Sequence, residues 1–176
     1  MNELPAGDDS KRQVWRAAII TVSDSRAAGR SGDASGDVIA ERLESLPGDV
    51  VARAVVADNI VDIRAAVRDG LAIAHLVVLT GGTGLGPRDV TPEALRSLLE
   101  YEVPGIAEAM RHEGLRRTPY AMLSRQVVGV VSRRLVVSLP GNPGAVAECL
   151  DAILPALPHA LSLLQGDTAH HSPSAS

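Results

Sequence analysis

The stretch LVVLTGGTGLGPRDVTPE, Leu76 to Glu93, decides the fold. Leu76 to Thr80 is an apolar, β-branched run of strand length, and Gly81, Gly82, Gly84 and Gly86 follow it directly. Beyond the glycines, Thr91 reads as a helix cap with Pro92 at the first helical position. A buried strand that passes through a glycine loop into a helix is a building unit of an open α/β sheet, whose ligands collect at the carboxyl ends of the strands. Glycine removes the side chains that would hold an anion away from backbone N–H groups, so Gly81, Gly82, Thr83 and Gly84 form a candidate phosphate cradle. Two common nucleotide loops are excluded. No Gly-Lys-Ser/Thr follows at Walker A spacing, and G-x-G-x-x-G fails because its last position falls on Pro87 or Asp89.

Outward from this unit, Trp15 to Val22, Val50 to Val56, Val127 to Val131 and Leu135 to Leu139 also have strand length and composition. Between them, Val38, Ile39, Leu43 and Leu46 share one helical face, as do Ile60, Ile63, Val67 and Leu71. The alternation predicts an α/β fold of three layers, α/β/α, with a mostly parallel mixed sheet. Its last two strands are too close for a crossover and form an antiparallel hairpin around Ser132 and Arg133. A final helix starts at about Pro143 and is broken or ended by Pro155 and Pro158. One domain over residues 14–164 is expected, with 1–13 and 165–176 read as disordered tails.

Two further loops sit at strand ends. In Leu139 to Gly144, Asn142 caps a helix whose first residue is Pro143, and Pro140 and Gly141 bring the chain to it; free N–H groups there suit a phosphate. In Thr21 to Arg26, the hydroxyls of Thr21 and Ser23 suit a polar heterocycle or phosphate, and the segment leads to a cap at Ser35. Asp58 ends the second strand and Asp89 the glycine loop. Taken singly each is as well explained by helix starts, but on one cleft they would hold Mg²⁺ against a triphosphate.

Composition narrows the function classes. Hydrophobic residues make up 45% of the 176-residue chain and aromatics 2%, with no Phe, so Val, Leu, Ile and Ala must build the core. A net charge of −4 without a basic stripe or aromatic platform argues against nucleic acid as a partner. Cys149 is the single cysteine, which excludes an intrachain disulfide and points to a reducing, cytoplasmic setting. It reads as a core thiol beside Val146 and Leu150. Met1 to Gln13 does not read as a signal peptide, and no apolar run is long enough to cross a membrane. His75, His112 and His159 lack the spacing of a zinc set.

Six segments in order carry a resemblance: TVSDSR at Thr21 to Arg26, Asp33 to Gly36, VVADN at Val55 to Asn59, TGGTGLGPRDVTPEAL at Thr80 to Leu95, AMLSRQVVGV at Ala121 to Val130, and LPGNP at Leu139 to Pro143. Together they resemble the molybdopterin adenylyltransferases of the Mog/MoaB family and the related G domains of gephyrin and plant Cnx proteins. The resemblance implies a mixed-sheet domain, usually a homotrimer, that binds molybdopterin and ATP with Mg²⁺, joins AMP to molybdopterin and releases pyrophosphate. The product then passes to a molybdenum-insertion partner. By position, Asp58 and Asp89 match the two aspartates associated with activity, and the glycine loop matches the pterin and phosphate cradle. Ser124 and Arg125 match the family's LSR segment, and Ser23 with Pro140 to Pro143 completes the pocket. The attacking group is molybdopterin's own charged phosphate, so no general base is required. One position departs from the pattern: Asn59 stands where adenylyltransferases commonly carry a second acidic residue. That keeps in view a MoaB-type protein that binds pterin without transferring AMP; a third alternative, an interaction scaffold that has lost its ligand, comes from the use of the same fold for docking partners.

Overall fold

The computed structural model describes residues 14–167. The expected N-terminal tail, and the C-terminal one beyond residue 167, lie outside the described residues. In chain order the elements are β1 (Trp15–Val22), α1 (Asp24–Ala27), α2 (Ala34–Leu43), β2 (Gly48–Val56), α3 (Ile60–Ile73), β3 (Leu76–Thr80) and α4 (Thr91–Arg96). There follow β4 (Tyr101–Glu102), α5 (Pro104–Leu115), a 3₁₀ turn (Pro119–Leu123), β5 (Val128–Val131), β6 (Arg134–Leu139), α6 (Pro143–Ile153) and α7 (Leu157–Gln165).

Six strands form one sheet in the order β2-β1-β3-β6-β5-β4. The β1/β2, β1/β3 and β3/β6 pairs are parallel, while β5 runs antiparallel to both β6 and β4. The expected hairpin is present, with Ser132 and Arg133 both at positive φ, 47° and 61°, as a two-residue turn matched to strand twist requires.

Successive strand residues face opposite layers. Trp15, Ala17 and Ile19 of β1 pack with α2, α5, α6 and α7, whereas Ala18, Ile20 and Val22 pack with α3 and α4. Leu76 and Val78 of β3 divide from Val77 and Leu79 in the same way. The central strands β1, β3, β6 and β5 are therefore buried between two helical layers, giving the α/β/α architecture, while the edge strands β2 and β4 are largely exposed. Ile39, Leu43, Ile63 and Val67 are buried on the predicted helix faces, each worth roughly 1.5–3 kcal/mol of burial.

Several boundaries differ from the sequence reading. Thr91 is the first residue of α4, and Val90 precedes it without a side-chain cap; the Thr91 hydroxyl instead donates to the Gly81 carbonyl at 2.9 Å. Asp33, not Ser35, caps α2 by accepting from Gly36 N at 3.0 Å. Pro155 separates α6 from α7, while Pro158 lies in the first turn of α7 and ends nothing. Gln165, read as the start of the tail, closes α7, and Gly166 caps it at φ 93°. β4 and α5 had no reading; β4 is two exposed residues without a periodic signal.

Cys149 is buried, and burial raises its thiol pKa above the ordinary value while the Gln126 amide at 3.3 Å opposes that rise. It packs as a core thiol. Ser138 stitches the sheet to the segment before β5: its Oγ accepts from Val127 N at 2.7 Å and donates to Val127 O at 2.9 Å. Replacing Ser138 by Ala leaves that buried N–H without an acceptor. Ser138→Ala is expected to lower stability by about 1–3 kcal/mol in urea unfolding, and an unchanged midpoint would show that the strand ends re-pair.

Candidate functional site

The carboxyl ends of β1, β3 and β6 meet at one edge of the sheet. Gly81 N donates to Leu139 O at 3.2 Å, and the Thr80 hydroxyl donates to Pro140 O at 2.6 Å. Ser35 Oγ, from the start of α2, donates to Gly141 O at 2.7 Å. A Cβ at Gly81 would stand 2.2 Å from Val22 O, and one at Gly82 would stand 2.5 Å from Thr91 Oγ1. Both residues have positive φ, 99° and 64°, so glycine is required on two counts.

The glycine loop is polar in one sense only. The carbonyls of Gly81 and Gly82 accept from Thr91 Oγ1 and Thr91 N, at 2.9 and 3.1 Å. Those of Thr83 and Gly84 accept from Arg125 N and Nε, both at 2.8 Å. Among the described residues, the N–H groups of Gly82, Thr83, Gly84 and Leu85 have no acceptor. A run of unpaired N–H groups backed by satisfied carbonyls is an anion-binding arrangement.

Asp58 and Asp89 line one pocket of about 230 Å³ with Gly86, Pro87 and Arg88. Asp58 is held by a reciprocal pair: its Oδ2 accepts from Asp24 N at 2.8 Å, and its N donates to Asp24 Oδ1 at 2.9 Å. Arg88 reaches across from the glycine loop to Asp24 Oδ2 at 2.7 Å. Asp89 folds back on its own loop, Oδ2 accepting from Gly86 N at 2.8 Å. Asp58 Oδ1 and Asp89 Oδ1 accept no hydrogen bond among the described residues, and no cluster of three His, Cys, Asp or Glu forms a metal site there. The sequence reading missed Asp24 and Arg88, although both sit inside the loops it singled out.

The remaining candidates divide. Thr21 is fully buried and its hydroxyl donates to both oxygens of Asp33 at 2.9 Å, so it fixes the α2 cap. Ser23 caps α1, accepting weakly from Arg26 N at 3.4 Å. Thr83 is buried, and Asn142 caps α6 as expected, but by accepting from Gly144 N and Ala145 N at 2.9 and 3.2 Å it takes up the N–H groups expected to be free there, leaving the helix dipole. Ser124 Oγ is buried and has no hydrogen-bond partner among the described residues. It lines a cavity of about 200 Å³ shared with Thr118, Gln126, Pro140 and Glu148. The Arg125 guanidinium is bonded within the protein: besides Gly84 O it reaches Asp89 O at 2.5 Å and pairs with Glu93.

Burial pushes the Glu93 carboxyl upward, but the Arg125 hydrogen bond and charge outweigh it and hold its pKa below the ordinary value. This contribution is complete above the free glutamate value of about 4.3 and is lost as pH falls through the lower native value. Glu93→Gln is expected to flatten the acid limb of stability against pH slightly; an unaltered limb would show that the pair contributes nothing. For Gly82→Ala, the strained φ and the collision with Thr91 Oγ1 together predict a loss of about 1–3 kcal/mol in thermal unfolding. Native stability in that variant would show that the loop relaxes without cost.

The family model described as "Probable molybdopterin binding domain" matches residues 18–159. A gephyrin of Dictyostelium discoideum is 36% identical over 175 residues, 93% of this chain and 24% of that protein. A molybdopterin adenylyltransferase of Helicobacter pylori is 45% identical over 92 residues, 52% of each chain. The chain thus spans about half or less of the length of these curated relatives. The solved structure of the molybdopterin biosynthesis enzyme MoaB from Thermus thermophilus matches at a TM-score of 0.81 and 47% identity, covering 87% of this chain and 98% of its own. The chain belongs to the molybdopterin-binding domain family of molybdenum cofactor biosynthesis.

Proposed function

We propose that this protein is a molybdopterin adenylyltransferase that transfers AMP from ATP to molybdopterin. The observation that carries the reading is the run of four unpaired N–H groups, Gly82 to Leu85, beside a pocket lined by Asp58 and Asp89. The H. pylori relative bearing the name of this activity supports it. In the reaction an oxygen of molybdopterin's terminal phosphate forms a bond to the α-phosphorus of ATP. The bond from that phosphorus to the bridging oxygen breaks, and pyrophosphate leaves with the electron pair. The nucleophile is already an anion, so the chain's task is alignment and offsetting repulsion.

The residues present fit a magnesium ion that arrives with a triphosphate. Two carboxylates on one pocket, each with one oxygen unbonded, suit an ion that takes most of its ligands from phosphates and water. Asp58 and Asp89 would hold it, and when bound it would offset phosphate charge. The N–H groups of Gly82 to Leu85 bind phosphate oxygens, and the capped N-terminus of α6 at Asn142 presents a second positive end. Ser124 Oγ supplies an unused hydroxyl to the neighbouring cavity. The proposal includes a homotrimer and hand-over of product to a molybdenum-insertion protein, both from the family resemblance, and a cytoplasmic site of action, from the single cysteine. Among the described residues no single helix is long and apolar enough to cross a membrane.

A second reading, a MoaB-type protein that binds molybdopterin without adenylylation, draws on one observation. The Asn59 side chain is engaged as the cap of α3, accepting from Asp62 N at 2.8 Å, and supplies no carboxylate beside Asp58. Incubation with molybdopterin and Mg-ATP, followed by measurement of adenylylated molybdopterin and pyrophosphate, separates the two. Product is expected from the native chain, with losses on the order of 10²–10³ in Asp58→Ala and Asp89→Ala. Molybdopterin binding without product would favour the second reading, and no binding would leave only an interaction scaffold.

A further inference from the structure

We propose that Arg125 is a positioning residue that sets the polarity of the glycine loop and does not itself hold phosphate. This rests on the reading of that loop as the phosphate cradle. In a planar trans peptide unit the carbonyl of one residue and the N–H of the next point in opposite directions. Pinning the carbonyls of Gly81, Gly82, Thr83 and Gly84 on one side therefore turns the N–H groups of Gly82, Thr83, Gly84 and Leu85 to the other. These are the four N–H groups without an acceptor among the described residues.

Thr91 pins the first two peptide units and Arg125 the last two, through its own N to Thr83 O and its Nε to Gly84 O, both 2.8 Å. The same guanidinium reaches Asp89 O at 2.5 Å and pairs with Glu93 at the start of α4. A single rigid plane thus spans the loop from Gly84 to Asp89 and fastens it to the helix that follows. Lysine carries the same charge but presents its donors from one point and cannot bridge these acceptors. With its Nε, Nη1 and Nη2 all directed at the loop and α4, Arg125 is a poor candidate for a phosphate ligand, the role its place in the LSR segment suggests.

The test uses full-length protein, calorimetric titration with magnesium pyrophosphate, and amide hydrogen exchange at Gly86, Asp89 and Thr91, whose hydrogen bonds close the loop. Arg125→Lys and Arg125→Ala are expected to weaken pyrophosphate binding about tenfold or more and to speed exchange at those three amides, leaving the sheet amides protected. Glu93→Gln, which removes one anchor and keeps the guanidinium, is expected to shift both readouts the same way by less. It decides alone if both Arg125 variants fail to fold. Native affinity in Arg125→Lys would overturn the proposal, since charge alone would then suffice. Weakened affinity with unaltered exchange would overturn it too, because Arg125 would be touching the anion directly. Failure of the native protein to bind pyrophosphate would sink the cradle reading, while exchange in the variants would still judge the clamp.

Discussion

A methyl group at Gly81 would stand 2.2 Å from the Val22 carbonyl oxygen, and the candidate site depends on the close approach that its absence permits. β1 and β3 run parallel with Thr21 opposite Thr80, so the chain leaving β3 must turn directly beside the end of β1. At φ 99° Gly81 makes that turn while still donating to Leu139 O at the end of β6. Three strand ends are thereby tied within one or two residues of each other. The Thr80 hydroxyl on Pro140 O and the Ser35 hydroxyl on Gly141 O extend the tie to the loop before α6. Loosening any of these moves the glycine loop relative to Asp58, whose Oδ1 would lie 3.3 Å from a Cβ at Gly82.

Strand direction explains which segments can reach this edge. β1, β3 and β6 are parallel, so their carboxyl ends share it. β5 runs antiparallel to its neighbours, which brings its beginning to the same edge. Ser124 and Arg125 precede β5 by a few residues and so arrive beside the glycine loop from outside the parallel framework. A fully parallel sheet would have placed them at the opposite end. The mixed sheet is thus what lets Arg125 N meet Thr83 O and Ser124 Oγ face a cavity that also includes Pro140.

Where the sequence carried a period or a turn chemistry, the fold could be read from it. Trp15–Val22 and Leu76–Thr80 have the predicted bounds, because each is a mostly apolar run that stops at a polar residue or glycine, Ser23 or Gly81. Asn142 capped as expected because an Asn-Pro pair after a strand leaves few other options. Thr91 and Ser35 were misplaced for a shared reason: a hydroxyl beside a helix start has two uses, and here each binds a carbonyl of a neighbouring loop. β4 could not be read, since its two exposed residues are defined only by pairing with β5. For the candidate site, the loops singled out in the sequence do meet at one edge of the sheet, but the hydrogen bonding within them was not legible. Thr21, read as part of a strand-end loop, belongs to β1 and turns its hydroxyl toward Asp33. Asp24 meets Asp58 through hydrogen bonds between residues 34 positions apart, and Arg88 joins them through an ion pair to Asp24 across 64, separations that no local pattern encodes.

That hydrogen bonding bears on how a chain of net charge −4 could accommodate phosphates beside two carboxylates. Its nearest guanidinium groups are engaged: Arg88 with Asp24, and Arg125 with loop carbonyls and Glu93. The attraction must then come from peptide N–H groups, the end of α6 and whatever cation accompanies the anion. N–H groups do not titrate in the physiological range and, unlike an arginine, hold a fixed direction once their carbonyls are pinned. They also bring no long side chain whose freedom would have to be lost on binding. The cost is transferred to the scaffold, which must supply glycine at 81 and 82 and the carbonyl partners of Thr91 and Arg125. A phosphate that arrives alone meets Asp58 and Asp89 as repulsive neighbours, whereas one that brings a divalent cation offers an anion to the N–H run and a cation to the carboxylates. In the proposed reaction this arrangement discriminates by charge pairing as much as by shape.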